Sequence, residues 1–222
     1  MHDNESTKNV FLVSFTLCAV CSILVSVAAV MLKPIIQANK ELDIKKNLLV
    51  SAGLVEAGAT KDAILTEFEK IEKVPMETSK GARTVYIAKD NGVITHYIFP
   101  VEGKGLWSTM YGFMALSRDF KSVLGMGFYE HGETPGLGGE ITNPKWLASF
   151  NGKRAFNDSM EPKLEVIKGE VDRTSDSSQY QIDGLSGATM TTRGVDKLIK
   201  FWLSEEGYLP FIKSRLEKEG KL

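Results

Sequence analysis

The chain has 222 residues, of which 27 are basic and 28 are acidic, and its formal net charge is −1. This balance argues against nucleic acid as a main partner, because phosphate binding requires a basic excess or a basic stripe and the sequence has neither. The two cysteines, Cys18 and Cys21, are too few for a disulfide scaffold. The composition is that of an ordinary folded protein with an unusually apolar beginning.

That beginning is an uncharged run from Val10 to Leu32, with a lysine close to each end. The run is long enough to cross a bilayer core of about 30 Å. A cleaved signal peptide would have a shorter apolar centre and a basic start, whereas the first residues here, MHDNESTK, are acidic as well as basic. We therefore predict a tail at residues 1–9, a retained transmembrane helix at 10–32 and a soluble domain at 33–222.

The side of the membrane on which the soluble domain lies is ambiguous. More lysines follow the apolar run than precede it, so a positive-inside count would place the domain in the cytoplasm. Glu41 and Asp43 lie in the same segment, however, and the rule applies to short loops rather than to a large translocated domain. Composition alone leaves the side undecided.

Helical spacing of apolar residues marks both ends of the soluble part. It continues from Pro34 to about Leu54, and Thr60 is then the predicted N-cap of a helix that ends near Val74. Two closing helices are predicted, from about Met190 to Ser204 and from about Tyr208 to Glu217.

Strands are predicted between these helices. Apolar and polar side chains alternate on both sides of Asn91 and Gly92, and this dipeptide is the strongest short-range signal for a β-hairpin. Further strands are predicted at Val123 to Glu130 and at Leu164 to Val171. Strands in a run with helices at both ends indicate an α+β domain with a mostly antiparallel sheet.

The segment Asp183 to Val195, DGLSGATMTTRGV, places two glycines and several small hydroxyl residues immediately before a helix. A glycine-rich turn that leads into a helix offers unpaired backbone N–H groups and the positive end of the helix dipole, which together suit a phosphate. The alternative is an ordinary helix start at which Thr191 or Thr192 caps the backbone donors.

This segment resembles the flavinylation motif of the covalent FMN-binding proteins, Asp-x-x-Ser-Gly-Ala-Thr. In that family a flavin transferase uses FAD to join FMN, through its phosphate, to the last threonine of the motif. The resemblance implies that Thr189 is the acceptor and that Asp183 is the acidic residue that the transferase requires. The cofactor-binding residues that it implies here are Asp183, Ser186, Gly187, Ala188 and Thr189.

Two further segments narrow the resemblance. His131 to Ile141, HGETPGLGGEI, and Gly103 to Phe113, GKGLWSTMYGF, resemble the C subunits of the sodium-translocating NADH:quinone reductases. The G-type subunit of the related ion-translocating electron-transport (Rnf) complex shares the core from Glu133 to Gly138, so it is the nearest alternative. The run that begins at Gly105 favours the C-type family.

These two segments supply the other candidate cofactor contacts. Glycines let a backbone approach a flat ligand closely, although a Gly-Pro turn between strands would have the same composition. Trp107 and Tyr111 are candidates for stacking on the flavin or for the core, and His131 for a proton carrier or a strand-end hydrogen bond. Near a flavin, the charge of Glu133 would lower the redox potential. The predicted contacts are Leu106, Trp107, Glu133, Thr134, Gly136, Leu137 and Gly138.

The resemblance implies a single-span subunit of a bacterial inner-membrane complex, with covalent FMN in a soluble domain on the periplasmic side. Its implied partners are the A, B, D, E and F subunits and, for maturation, a flavin transferase. No G-x-G-x-x-G follows a predicted strand, so NADH oxidation is expected elsewhere in the complex, and we predict neither a catalytic residue nor a metal ligand in this chain. The alternative of another class is a non-redox, membrane-anchored module that binds a phosphorylated ligand.

Overall fold

The structure is a computed structural model that describes residues 3–218, which fall into two compact units on either side of the Leu42–Asp43 bond. Helix α1 (Asp3–Ser51) contains Pro34 within its length. The stretch Thr7–Ser51 is long and apolar enough to cross a membrane. The predicted continuation of the apolar helix beyond Pro34 is therefore confirmed.

The second unit is built on one antiparallel sheet whose strand order is the same as the order in the sequence, β1-β2-β3-β4-β5. The predicted α+β domain with a mostly antiparallel sheet is thus confirmed. The strands are β1 (Glu72–Thr78), β2 (Gly81–Asp90), β3 (Val93–Lys104), β4 (Thr109–Ser117) and β5 (Val123–Glu130).

The turn between β2 and β3 is the predicted hairpin. Asn91 and Gly92 form it, with φ angles of 49° and 81°. A two-residue turn with positive φ at both positions matches the right-handed twist of the two strands that it joins. Strand β5 also begins and ends at the predicted residues, Val123 and Glu130.

The helix after Thr60 is shorter than predicted. Helix α2 spans Lys61–Glu69, and the Thr60 hydroxyl accepts a hydrogen bond from the Ala63 N–H at 3.4 Å. The prediction that this helix reaches Val74 is wrong, because Val74 lies in β1 and pairs with Val85. β1 is an edge strand of the sheet, the position in which its Pro75 is tolerated.

The predicted strand from Leu164 to Val171 is also too long. Only β6 (Glu165–Val166) is a strand, and it pairs in parallel with β7 (Gln181–Ile182). The contact then continues outside the strands, since the Gly184 N–H donates to the Gly169 carbonyl at 2.7 Å. This pairing holds the start of the glycine-rich motif beside residues 167–169.

The helices after the sheet are α3 (Pro144–Ala148), α4 (Thr189–Trp202) and α5 (Leu209–Lys218). Helix α4 buries Leu198 against the end of β3, where a Cβ on Gly103 would lie only 2.8 Å from the Leu198 Cβ. Gly194 is in similarly close contact with the Lys104 carbonyl. These glycines let α4 approach the sheet closely.

Candidate functional site

A pocket of about 340 Å³ lies at the beginning of α4. Three segments that are far apart in the sequence form it: the loop after β3, the loop after β5, and the motif with the first turn of α4. Its lining residues are Leu106, Trp107, Glu133, Thr134, Leu137, Gly138, Gly187, Ala188, Thr189, Met190 and Thr191. The fold therefore brings all three predicted cofactor-binding segments to one place.

Three predicted cofactor residues lie outside the pocket lining, and two lining residues were missed. Ser186 and Gly136 are exposed in the adjoining loops, while Asp183 begins the motif loop. Met190 and Thr191 line the pocket although neither is predicted as a contact. Their position in the first turn of a helix that starts at Thr189 is the signal that could have revealed them.

Thr189 is the first residue of α4 and is half-buried. The N-cap residue is Ala188, whose methyl group cannot accept a hydrogen bond from the first-turn N–H groups. The preceding Gly187 has a φ of 72°, a left-handed conformation that favours glycine. The Thr189 hydroxyl therefore lies at a helix N-terminus that the N-cap side chain leaves open and that carries partial positive charge.

The two threonines that could have capped α4 are engaged elsewhere. The Thr191 hydroxyl donates to Glu133 Oε2 at 2.5 Å, and Thr192 Oγ1 accepts from the Leu185 N–H at 3.1 Å. Leu185 lies in the motif loop before the helix. Thr192 thus satisfies a backbone donor in the loop before α4, as the alternative interpretation expects, whereas Thr191 binds a carboxylate instead.

Glu133 is a buried carboxylate surrounded by donors. Besides Thr191, it accepts hydrogen bonds from the backbone N–H groups of Leu106 at 3.2 Å, Trp107 at 2.9 Å and Ser108 at 3.4 Å. Burial alone raises the pKa of Glu133, but the bonds from Thr191 and these three amides outweigh it and hold the pKa below its ordinary value. The side chain is thus an anion at neutral pH.

Exposed apolar side chains form the rim of the pocket. Leu106 is 51% exposed, Trp107 70%, Leu137 46% and Met190 55%; among the described residues that follow α1, Val93 is the other large apolar side chain with comparable exposure. Such a concentration on a surface marks a place where a ligand or partner is bound. For Trp107 the core alternative is wrong, whereas Tyr111 lies outside this pocket with its ring 6.3 Å from that of Tyr129.

A tight turn after β5 shapes one side of the pocket. The Leu137 N–H donates to the Thr134 carbonyl at 3.1 Å, and Gly136 between them has a φ of 74°. Pro135 and Gly136 occupy the positions that a type II turn favours for these residues. The glycine-proline turn of the sequence is therefore present, and its Leu137 side chain is the one that reaches the rim.

Asp183 fixes the beginning of the motif loop through its side chain and its backbone carbonyl. Its Oδ1 accepts from the Val171 N–H at 2.7 Å, its Oδ2 pairs with Arg173, and its carbonyl accepts from Trp146 Nε1 at 2.8 Å. His131 has a comparable local role, since its Nδ1 accepts from the Glu133 N–H at 3.2 Å. Of the two roles considered for His131, the structure shows the strand-end hydrogen bond.

A family model described as an FMN-binding domain matches residues 105–204. The matched range contains every residue that lines the pocket. The chain therefore carries an FMN-binding domain, as its motif loops predict.

The similarity to known proteins extends over nearly the whole chain. The C subunit of the Na(+)-translocating NADH-quinone reductase of Pseudomonas aeruginosa is 37% identical, over 99% of this chain and 100% of the relative. Its counterpart from Yersinia pestis is 36% identical, over 99% of this chain and 96% of the relative. The chain belongs to the C-subunit family of the Na(+)-translocating NADH-quinone reductases, and the G-type alternative is not favoured.

Two crystal structures have the same fold. NqrC of Shewanella oneidensis matches with a TM-score of 0.72 and 27% identity, over 81% of this chain and 99% of that one. The C subunit of the Na(+)-translocating NADH-quinone reductase from Parabacteroides distasonis matches with a TM-score of 0.66 and 26% identity, over 80% and 95% of the two chains. The resemblance to the C-type family is thus confirmed in both sequence and fold.

Proposed function

We propose that this subunit transfers electrons through an FMN that is joined by a phosphoester to Thr189, within a complex that couples NADH oxidation by quinone to sodium export. The observation that carries the proposal is the position of Thr189, which is at the open N-terminus of α4 and lines a pocket with an apolar rim. The complex as a whole would act as a translocase. In this chain we propose a cofactor-binding role without a catalytic residue.

The phosphate end of FMN fits the surroundings of Thr189. A phosphodiester keeps one negative charge, which the first-turn N–H groups and the dipole of α4 would stabilise. Gly187 presents backbone rather than side chain next to this hydroxyl, which leaves room for the phosphate. Ser186 and Ala188 complete the proposed attachment loop, and Asp183 holds it in place.

The flavin ring system of FMN would suit the apolar rim of the pocket. A pocket of about 340 Å³ is within the range of small-molecule sites, and an aromatic ring system would cover apolar surface that is otherwise in contact with water. Leu106, Trp107 and Leu137 are the apolar members of the lining that we expect to contact the ring, and Thr134 and Gly138 line the same pocket. Bound FMN would supply the reversible uptake of electrons, while these side chains would orient the ring and limit its exposure to water.

The apolar part of α1 supports a membrane anchor, and membership of the C-subunit family supports assembly with the A, B, D, E and F subunits. We propose an inner-membrane location with the flavin domain on the periplasmic side, which rests on the family resemblance rather than on the lysine count. A flavin transferase would load the cofactor, and NADH would be oxidised by another subunit.

The test is denaturing gel electrophoresis of the native-membrane protein under ultraviolet light, followed by mass spectrometry of the peptide that contains Thr189. We expect a fluorescent band and a peptide whose mass is increased by FMN less one water. A dark band and an unmodified Thr189, in cells that make the transferase, would overturn the proposal. The non-redox module that binds a phosphorylated ligand would then be the better interpretation.

A further inference from the structure

We propose that Glu133 and Thr191 form a clasp that positions the loop of residues 106–108 against the first turn of α4. Through this clasp Glu133 would act on the cofactor by fixing Trp107, not by touching the cofactor itself. That the cofactor is FMN rests on the proposed function, whereas the clasp itself consists only of contacts within this chain.

The first argument is that the carboxylate has no acceptor capacity left. A carboxylate offers about four lone-pair sites. In Glu133, Oε1 accepts from the Trp107 and Ser108 amides, and Oε2 accepts from the Leu106 amide and the Thr191 hydroxyl. A donor on a ligand would have to displace one of these bonds, so Glu133 is poorly suited to be a direct ligand.

The second argument concerns how Trp107 is held. Its side chain is 70% exposed, so packing does little to fix it. Its backbone, by contrast, is one of three consecutive N–H groups that converge on one anion, and the Gly105 N–H closes the same loop by donating to the Ser108 carbonyl at 2.8 Å. The position of the exposed ring is therefore set mainly through its main chain.

The third argument is that the space around the Glu133 carboxylate is tightly filled. A Cβ on Gly105 would collide with Glu133 Oε1, and a Cβ on Gly138 would lie 2.9 Å from Oε2. Burying an anion is unfavourable unless donors surround it, and an apolar pair could join the same segments without that penalty. A carboxylate in this place is explained by its ability to gather the amides of a loop onto a helix.

The test compares Thr191→Val, which removes the hydroxyl at nearly constant shape, with Thr191→Ser, which keeps it. Thr95→Val is the matched control, because Thr95 is a half-buried threonine whose hydroxyl donates to the Ala88 carbonyl at 3.2 Å, outside the pocket. All variants are full-length chains in detergent, prepared with and without the flavin transferase.

Without flavin, we expect Thr191→Val to accelerate hydrogen exchange of the 106–108 amides by about tenfold or more, since bonds to a charged group are being loosened. With flavin attached, we expect its midpoint potential to shift and its fluorescence to rise as Trp107 moves away. Thr191→Ser should restore all three quantities, and Thr95→Val should change none of them.

Unchanged exchange and an unchanged potential in Thr191→Val would overturn the proposal, as would equal changes in Thr95→Val. If Thr191→Val does not fold, Glu133→Gln is measured in its place, since the amide nitrogen of glutamine cannot accept the bonds that the lost oxygen accepted. A wild-type chain that never acquires flavin would contradict the proposed function alone, because exchange in the flavin-free chain would still decide whether the clasp exists.

Discussion

Gly138 lies against Thr191 so closely that a Cβ on the glycine would be 2.5 Å from the threonine hydroxyl oxygen. Neither the hydroxyl nor the adjacent Glu133 carboxylate can move aside without breaking hydrogen bonds. We therefore expect Gly138→Ala to lower the free energy of unfolding by about 1–3 kcal/mol, the usual range for overpacking. Denaturant unfolding measures this, with Gly58→Ala as control because a Cβ there meets no atom within 4 Å. Equal effects at the two glycines would contradict the close contact.

Replacing the proposed acceptor hydroxyl, that of Thr189, should remove flavin attachment without affecting folding. We expect Thr189→Ala to give a folded chain without covalent flavin, because no oxygen remains to form the phosphoester. Thr191→Ala should keep its flavin, since its hydroxyl binds Glu133 rather than the cofactor. In-gel flavin fluorescence and circular dichroism of the same preparations check both expectations. The opposite pattern would reassign the acceptor.

The ion pair between Asp183 and Arg173 allows the role of the acid to be tested separately from that of the pair. Asp183→Asn keeps a side-chain oxygen for the Val171 N–H but removes the negative charge, and we expect flavin attachment to be lost. Arg173→Gln removes the other partner, whose side chain is 56% exposed, and should change stability by less than about 1 kcal/mol.

Flavin incorporation during co-expression with the transferase is the measurement for both variants. If Asp183→Asn and Arg173→Gln lose flavin to the same extent, the ion pair matters rather than the acid itself. The acidic residue would then have no separate role in recognition.

The buried carboxylate predicts a dependence of stability on pH. The pKa of Glu133 in the folded chain is below its ordinary value of 4.5, so its contribution is complete above about pH 4.5 and decreases as the pH falls toward the folded pKa. We expect Glu133→Gln to be less stable than the wild type at pH 7, with the difference narrowing below pH 4.5. Urea unfolding of both chains from pH 7 to pH 3 tests this. A difference that stays constant over the range would show that the charge of Glu133 is not involved.

Local signals in the sequence predict the parts of the fold that depend on few neighbours. Asn91 and Gly92 specify the hairpin by their own backbone preferences, and Thr60 caps α2 with its own side chain. The predicted end of α2 is wrong because Val74 is drawn into β1 by its pairing with Val85, which local propensity does not reveal. No strand is predicted at β4, because its first residues are interpreted only as part of the motif segment from Gly103 to Phe113.

In the site, too, local features are predicted from the sequence and contacts between distant residues are not. The motif from Asp183 to Thr189 is predicted as one contiguous segment, and the structure places its last residue at the start of α4. The hydrogen bonds of Glu133 are not foreseen, because its partners lie about 26 and 58 positions away in the chain. The sequence of a glycine-rich loop does not show which backbone amides will donate hydrogen bonds to its carboxylate.

We also expect the order of the strands to affect the order in which parts of the protein fold. Each strand of β1 to β5 pairs with its neighbour in the chain, so the sheet requires only short loops to close. Helix α4 reaches the end of β3 across a much longer separation, and the loop closure that this requires is entropically more demanding. The segment that carries Thr189 would thus be among the last to fold, and a chain with a misfolded sheet would lack a completed pocket in which the proposed modification could take place.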